Sequence, residues 1–486
     1  MQVHSALRSP SQNASGPLTK LARSGPALRA SQSRRRFLRT LALSSVAVGL
    51  ARPGRAAAAA SASQQRTADL SYLRGLAQRV LESATVAPSG RIPDGKVNTT
   101  GRQLRLPGGT LNYYPAFWIR DAAMMLGGDF ISADEIAGWV QVVAAFQPGA
   151  EGLTYGRLWI PPFSIPDHIS LRGVAYWFPG SEADREKGVY GFLPPADNAF
   201  FFVQMVHEHW RLSGSLSFFN AKVQTAWGGQ RLSEVCLGAF DSVAVDKGTG
   251  LVVCEATAGR SRADWGFCDA IRKSGLCLMP SLLRWRAAQQ LIALFKANGQ
   301  TAEVKRLRAE AKHIQASLVP TFFQALPEAG GRKTGCLLSA TGLGRKEDVW
   351  SAAFAVWLGV LPRDAERPVA RHLLALYEGE GTVFEGQVRH LPPAGEWGGY
   401  WEQALCAAEE YQNGGFWGTP TGWFITALRR VDAEAADRML AEYVAHLRAN
   451  EAQGAPWEWL NPKIQRRVNP RYASSAGLVY LALTSR

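Results

Sequence analysis

Five short segments of this 486-residue chain set acidic side chains among aromatic residues, prolines and glycines. They are Tyr114-Pro115-Ala116-Phe117-Trp118-Ile119-Arg120-Asp121, Pro194-Pro195-Ala196-Asp197-Asn198, Arg262-Ala263-Asp264-Trp265-Gly266, Glu409-Glu410-Tyr411-Gln412-Asn413-Gly414-Gly415-Phe416-Trp417 and Trp457-Glu458-Trp459-Leu460-Asn461-Pro462. Cleavage of a glycosidic bond needs this kind of material. One protonated carboxyl donates to the leaving oxygen, and a second carboxylate acts as base or nucleophile. Aromatic walls stack on sugar faces and raise the acid's pKa by removing water. Asp197 also fits a helix N-cap. The 16 Trp residues suit a ligand with flat apolar faces and many hydroxyls, alongside ordinary core packing.

Other chemistries lack their residues. The chain has no phosphate-binding loop, no Gly-x-Gly-x-x-Gly after a strand and no Gly-x-Ser-x-Gly elbow. His207 and His209 flank Glu208, but residues two apart on a helix of ~3.6 residues per turn point about 200° from each other. The six cysteines at 236, 254, 268, 277, 336 and 406 form no Cys-x-x-Cys pair, so no zinc site and no bound metal are expected. They fit either one or two disulfides or plain buried thiols.

The elements that must position these residues read as helix after helix. Ala288, Leu291, Ile292 and Phe295 keep helical spacing up to a stop at Asn298-Gly299, and Ser132-Ala133-Asp134-Glu135 is a capping box. Helices are expected near 67–84, 133–146, 196–213, 214–228, 277–298, 301–324, 347–360, 364–377, 415–430, 432–449 and 471–484. Long loops rich in Gly, Pro and aromatics fall at 86–117, 147–195 and 381–400. Gly250 to Ala256 is the best strand candidate. No linker divides the chain beyond the leader, so residues 59–486 read as one all-α domain whose loops gather at one end, where sites tend to form.

On the same motifs the chain resembles the six-hairpin glycosidases, whose catalytic domain is an (α/α)6 toroid. Trp118-Ile119-Arg120-Asp121 is similar to the Trp-x-Arg-Asp segment with which several such families hold the sugar in the cleaved subsite. Ala263-Asp264-Trp265 resembles the segment carrying the general acid in cellobiose-phosphorylase-like enzymes. Asn413-Gly414-Gly415-Phe416-Trp417 looks like the Asn-Gly-Gly-x-Trp loop of phosphorylases and neutral invertases. Glu458-Trp459-Leu460-Asn461-Pro462 resembles the segment supplying the base in processing α-glucosidases. The resemblance implies an exo-acting, inverting glycoside hydrolase with a carbohydrate substrate and no cofactor. Asp264 would be the acid, with Asp269 as a neighbouring substitute, and Glu458 the base, with Glu410 as its rival. Arg120, Asp121, Asp197, Gln412 and Asn413 would bind sugar hydroxyls. Trp118, Trp265, Trp417 and Trp423 would be stacking platforms. The alternatives are a polysaccharide lyase on a similar toroid and an inactive carbohydrate-binding protein.

The formal charge of +14 is concentrated at the start of the chain. Residues 1–57 hold ten Lys and Arg and no Asp or Glu, leaving 44 basic against 40 acidic residues in the remainder. That body has no dense basic stripe of the kind a nucleic-acid binder uses. Ser33-Arg34-Arg35-Arg36-Phe37-Leu38-Arg39, the apolar run Leu41 to Ala51 and the small residues Ala56 to Ala60 read as a twin-arginine export signal. Residues 1–58 are therefore expected to be removed after passage through the twin-arginine machinery. The run is too short for a stable membrane anchor, and the mature protein is expected to be periplasmic or secreted. Replacing both Arg34 and Arg35 by Lys is expected to leave precursor in the cytoplasm. Normal export of that double variant, followed by immunoblotting of cell fractions, would refute the signal.

Overall fold

The computed structural model describes residues 53–106, 114–155, 158–178, 193–254, 267–392 and 406–485. Ala60–Arg486 forms one compact unit. The thirteen described helices are α1 (Pro53–Ser83), α2 (Ile119–Met124), α3 (Ala133–Ala144), α4 (Asn198–Ser213), α5 (Ser217–Asn220), α6 (Leu232–Asp241), α7 (Leu278–Ala297), α8 (Thr301–Phe322), α9 (Val349–Leu358), α10 (Arg363–Glu378), α11 (Thr421–Arg429), α12 (Ala433–Asn450) and α13 (Ser474–Thr484).

Contacts among these helices close a ring. Helix α2 packs on α4, α4 on α7, α7 on α9, α9 on α11, α11 on α13, and α13 returns to α2. Between these six inner helices the chain passes through outer ones, with α3 against α4, α6 against α4, α8 against α7, α10 against α9 and α12 against α11. This alternation is an (α/α)6 toroid. Residue types explain the layering. Inner α9 reads Val-Trp-Ser-Ala-Ala-Phe-Ala-Val-Trp-Leu and is buried over most of its surface. Outer α10 buries only Ala365, Pro368, Val369, Ala370, Leu373 and Tyr377 and keeps its charged residues outside. The expected stops hold, since Ser132 Oγ accepts from Glu135 N–H at 3.2 Å and α7 ends before Gly299 at φ +75°. Among the described residues no helix is long and apolar enough to cross a membrane.

Two expectations are corrected. Residues 214–228 do not form a long helix. After the single turn α5, Lys222–Thr225 pairs with Gly228–Arg231 as a hairpin, because Val223 and Thr225 alternate inward and Gly228 takes φ +115° at the turn. The helix expected from 415 starts only at Thr421, because Phe416–Trp417 is drawn into a sheet. The strand candidate at 250–256 shrinks to Val253–Cys254, with 255 and 256 outside the described residues.

Two small sheets cap the ring at the end where the inner helices begin. In one, β1 (Ala116–Trp118), β2 (His168–Ser170) and β3 (Ala175–Tyr176) pair antiparallel. The other has five antiparallel strands, β4 (Val383–Phe384), β5 (Gln387–Arg389), β6 (Phe416–Trp417), β7 (Trp457–Asn461) and β8 (Arg466–Pro470). Gly386 at the β4–β5 turn has φ +76°, and a Cβ there would lie 2.5 Å from Tyr443 Cβ on α12. Gly386→Ala therefore combines left-handed strain with a backbone clash. It is expected to cost about 1–3 kcal/mol, read as a lower unfolding midpoint in urea. An unchanged midpoint would show that the turn moves freely off α12.

Candidate active site

A cavity of about 320 Å³ opens at the capped end of the ring. Its lining comes from the stretches that lead into inner helices. The entry to α2 supplies Tyr114, Trp118, Arg120 and Asp121, and the segment before α7 supplies Phe267, Asp269 and Ala270. Trp350 comes from α9; Cys406, Tyr411, Gln412, Trp417 and Thr419 precede α11; Glu458 and Tyr472 precede α13.

Arg120 is buried, with Nε 2.8 Å from Asp197 Oδ2 and a terminal nitrogen 3.6 Å from Asp167 Oδ1. Asp197 does stand at the N-cap position of α4, but its carboxylate holds Arg120 and makes no cap hydrogen bond. Trp118 stacks on His168 at 4.0 Å, and His168 stacks on Tyr176 at 4.8 Å, as the register of β1, β2 and β3 requires. His168 Nδ1 meets Asp167 at 2.9 Å. Trp118, the ring of this stack that lines the cavity, is thus backed by two further rings.

Three carboxyl groups share the cavity. Asp121 accepts from Tyr472 O–H at 2.6 Å. Glu458 lies on β7, whose five residues are all buried, and accepts from Tyr114 O–H at 3.2 Å and Asn469 Nδ2 at 3.3 Å. Asp269 accepts from Tyr411 O–H, and among the described residues its Oδ1 has no hydrogen-bond partner. Burial pushes Asp269 up to about 7, with the charges of Asp167 and Asp121 acting in the same direction. Burial pushes Glu458 up to about 8, reinforced by Asp121 and Asp269. Asp121 is raised as well, chiefly by burial.

The remaining candidates separate. Asp264 and Trp265 lie outside the described residues. Glu410 does not line the cavity, and its carboxylate sits 3.3 Å from the exposed Arg466. Its neighbour Glu409 is the buried one, bound by Arg389 at 2.6 Å, Lys463 at 2.5 Å and Asn461 at 2.8 Å. Gln412 lines the cavity, and its Oε1 accepts from Ala270 N–H at 2.9 Å, so it braces the segment bearing Asp269. Asn413 is buried and donates to the Cys406 carbonyl at 3.2 Å. Trp417 forms part of the wall, whereas Trp423 packs behind it among Phe267, Phe354 and Trp357. No disulfide joins the six cysteines, and all but Cys406 are buried. Glu208 is occupied by Arg211 at 2.8 Å. Among the described residues no three His, Cys, Asp or Glu side chains are grouped to hold a metal.

Sequence reasoning missed Tyr472, Asn469 and Trp350, whose surroundings carry no signal of their own. Tyr114 and Tyr411 lie in the acidic aromatic segments, where nothing in the sequence marks their hydroxyls as the donors to Glu458 and Asp269. Asp269 was named only as a substitute, although it closes the Trp-Gly-Phe-Cys-Asp run.

No family model and no curated protein sequence matches the chain. Solved structures do. A metal-independent α-mannosidase of Streptococcus pneumoniae, in a non-productive complex with α-1,6-mannobiose, is 12% identical with a TM-score of 0.50, over 88% of this chain and 96% of that one. A mannosylglycerate hydrolase of Thermus thermophilus, with Tris and D-glycerate, is 13% identical at 0.50, over 84% and 99%. A rhamnosidase of Klebsiella oxytoca with rhamnose bound is 12% identical at 0.50, over 85% of this chain and 63% of that one. The likeness is one of fold, and the fold is the (α/α)6 toroid of the six-hairpin glycosidases.

The raised carboxyls have a consequence for stability. A carboxyl whose folded pKa lies above its unfolded value near 4 loses its proton more readily in the unfolded chain. Its destabilising effect grows as pH rises from about 4 towards the folded values of about 7 for Asp269 and about 8 for Glu458. Glu458→Gln is therefore expected to unfold at a higher temperature than the parent at pH 8, with the difference shrinking towards pH 4. A pH-independent difference in calorimetric midpoints would contradict the raised pKa.

Proposed function

We propose that the protein is an exported glycosidase that removes a terminal sugar with inversion, using Asp269 as general acid and Glu458 as general base. The observation carrying this reading is that two carboxyls from distant segments face one aromatic-walled cavity, both pushed up chiefly by burial, with Asp269 further raising Glu458. The solved structures of like fold are a mannosidase, a rhamnosidase and a mannosylglycerate hydrolase, which supports the same class. The pair titrates as a unit, so the cavity keeps a proton near neutral pH. Glu458 has two donors, Tyr114 and Asn469, which favour its ionised form. Asp269, the less strongly raised of the two, accepts from Tyr411 O–H and leaves Oδ1 without a partner among the described residues, so Oδ1 is the oxygen placed to give a proton to a leaving group.

Water attacks the anomeric carbon and passes a proton to Glu458. The bond to the leaving oxygen breaks as that oxygen takes the proton of Asp269, and exchange with solvent resets both groups. Trp118 and Trp417 offer ring faces to the sugar, while Arg120 and Asp121 offer partners for its hydroxyls. Arg120, the cation lining the described cavity, is already matched by Asp197 and Asp167. Three carboxyls then oppose an acidic sugar, which favours a neutral glycoside and disfavours a lyase acting on uronates. Release into the periplasm or medium rests on the leader.

Asp269→Asn is expected to lose about 10²–10⁴-fold on substrates with poor leaving groups and far less on activated aryl glycosides. Glu458→Gln should lose activity on both, because water activation is always needed. Proton NMR of the first-formed sugar should show the anomer opposite to the substrate's. If Asp264→Asn shows the leaving-group dependence and Asp269→Asn does not, the acid is Asp264. Retention at the anomeric carbon would reject the inverting pair.

A further inference from the structure

Behind the cavity wall lies a polar cluster that the chemistry above does not use. Cys268, Lys273, Asp348 and His390 are each at most 1% exposed. Burying such groups is costly unless their geometry is held. His390 Nε2 stands 3.3 Å from Asp348 Oδ1 and 3.4 Å from Cys268 Sγ. Asp348 caps α9, accepting from Ser351 N–H at 2.8 Å and Ser351 O–H at 2.6 Å. The His390 carbonyl accepts from Val349 N–H at 3.1 Å, and Trp350 Nε1 donates to the Val388 carbonyl at 3.2 Å. The Trp350 ring, which lines the cavity, lies 4.9 Å from the imidazole.

The protonation state follows from these neighbours. Although burial acts to raise Asp348, His390, Lys273 and Ser351 hold it well below the usual carboxylate range. Burial, with Lys273, holds His390 below the usual imidazole value against the pull of Asp348. Nε2 is the ring nitrogen that faces both Asp348 Oδ1 and Cys268 Sγ, and the Gln412 backbone also acts to raise the ring's pKa. Cys268 directly precedes Asp269, and His390 directly follows β5 of the sheet that also holds Glu458 on β7. The imidazole thus ties the segment of the acid to the sheet of the base and to the helix presenting Trp350.

We propose that His390 is a positioning residue that, through Cys268 and Asp348, sets Asp269 at its working distance from Glu458. This rests on the acid and base reading above. Gln412, bonded to Ala270, braces the same segment from the cavity side. The charged and titratable groups facing Asp269 include Arg120, Asp167, Asp121, Tyr411, Glu458, Tyr114 and Cys406.

The test compares the full-length protein with His390→Leu, His390→Gln, Cys268→Ala and Asp269→Asn on one aryl glycoside with a poor leaving group and one with an activated leaving group. His390→Leu is expected to lower kcat about 10–100-fold on the poor leaving group, as a misplacement of about 1 Å would. KM should change little, the activated substrate should be largely spared, and the basic limb of the pH profile should move. His390→Gln, which keeps a donor near Nε2, should recover most of the loss. Cys268→Ala, a small change that keeps the cap on α9, should shift the same limb in the same direction if the leucine variant fails to fold. Equal losses on both substrates with an unmoved limb, or a silent Cys268→Ala alongside an unrescued His390→Gln, would overturn the proposal. An Asp269→Asn variant without leaving-group dependence would instead overturn the acid assignment, which separates the two failures.

Discussion

Helix α13 packs against α2, and this contact between the last and first inner helices turns a row of hairpins into a ring. Residues far apart in sequence converge because each inner helix begins at the same end. Asp121 stands in the first turn of α2, Asp269 before α7, Trp350 in the first turn of α9, Trp417 before α11 and Glu458 before α13. Longer or shorter outer helices would leave that arrangement intact, whereas an opened ring would scatter it.

Within the cavity, desolvation of like charges outweighs every other influence on the carboxyls. Three of them and one matched arginine share a space walled by Trp118, Trp350, Trp417 and Tyr472. Such a site works against stability, because each ionised carboxylate would be better placed in water. The surrounding hydroxyls and amides reduce that cost without removing the raised affinity for protons. Tyr472 serves Asp121, Tyr411 serves Asp269, and Tyr114 with Asn469 serves Glu458. Asp269 and Glu458 are both raised towards neutral pH, so the cavity keeps protons that carboxyls in water would have lost.

Around this centre the structure invests in rigidity at the junctions between segments. Asn461, at the far end of β7 from Glu458, also holds the loop at 409–414 through the Glu409 and Gly414 carbonyls. Arg389 binds the same loop through Gly414 and Glu409. The segment bearing Asp269 is held by Gln412 at Ala270 and by His390 at Cys268. These contacts cross between neighbouring entries to inner helices, so the placement of the cavity carboxyls is a property of the cap and its sheets more than of any one loop.

Much of the fold was legible in the chain. Apolar spacing, the Ser132 cap and the Asn298-Gly299 stop mark helices from local energetics alone, and local energetics do not depend on where the helix ends up. The acid-rich aromatic segments also marked the site's neighbourhood, since a desolvated carboxyl needs such surroundings wherever it occurs. What the chain could not decide was direction. Glu409 and Glu410 are adjacent, yet one is locked among Arg389, Lys463 and Asn461 and the other faces Arg466. Trp417 reaches the cavity because β6 pairs with β7, while Trp423, on the following helix, turns into the core. Tyr472 and Asn469 matter only because ring closure brings them against Asp121 and Glu458. Residue type and spacing thus marked most of the helices and the segments that carry the cavity's carboxyls and rings, but not the hairpin at 222–231 or the strand at 416–417. Long-range pairing alone decided which side chains face the cavity, because side-chain direction follows strand register and helix rotation, which are set by partners distant in sequence.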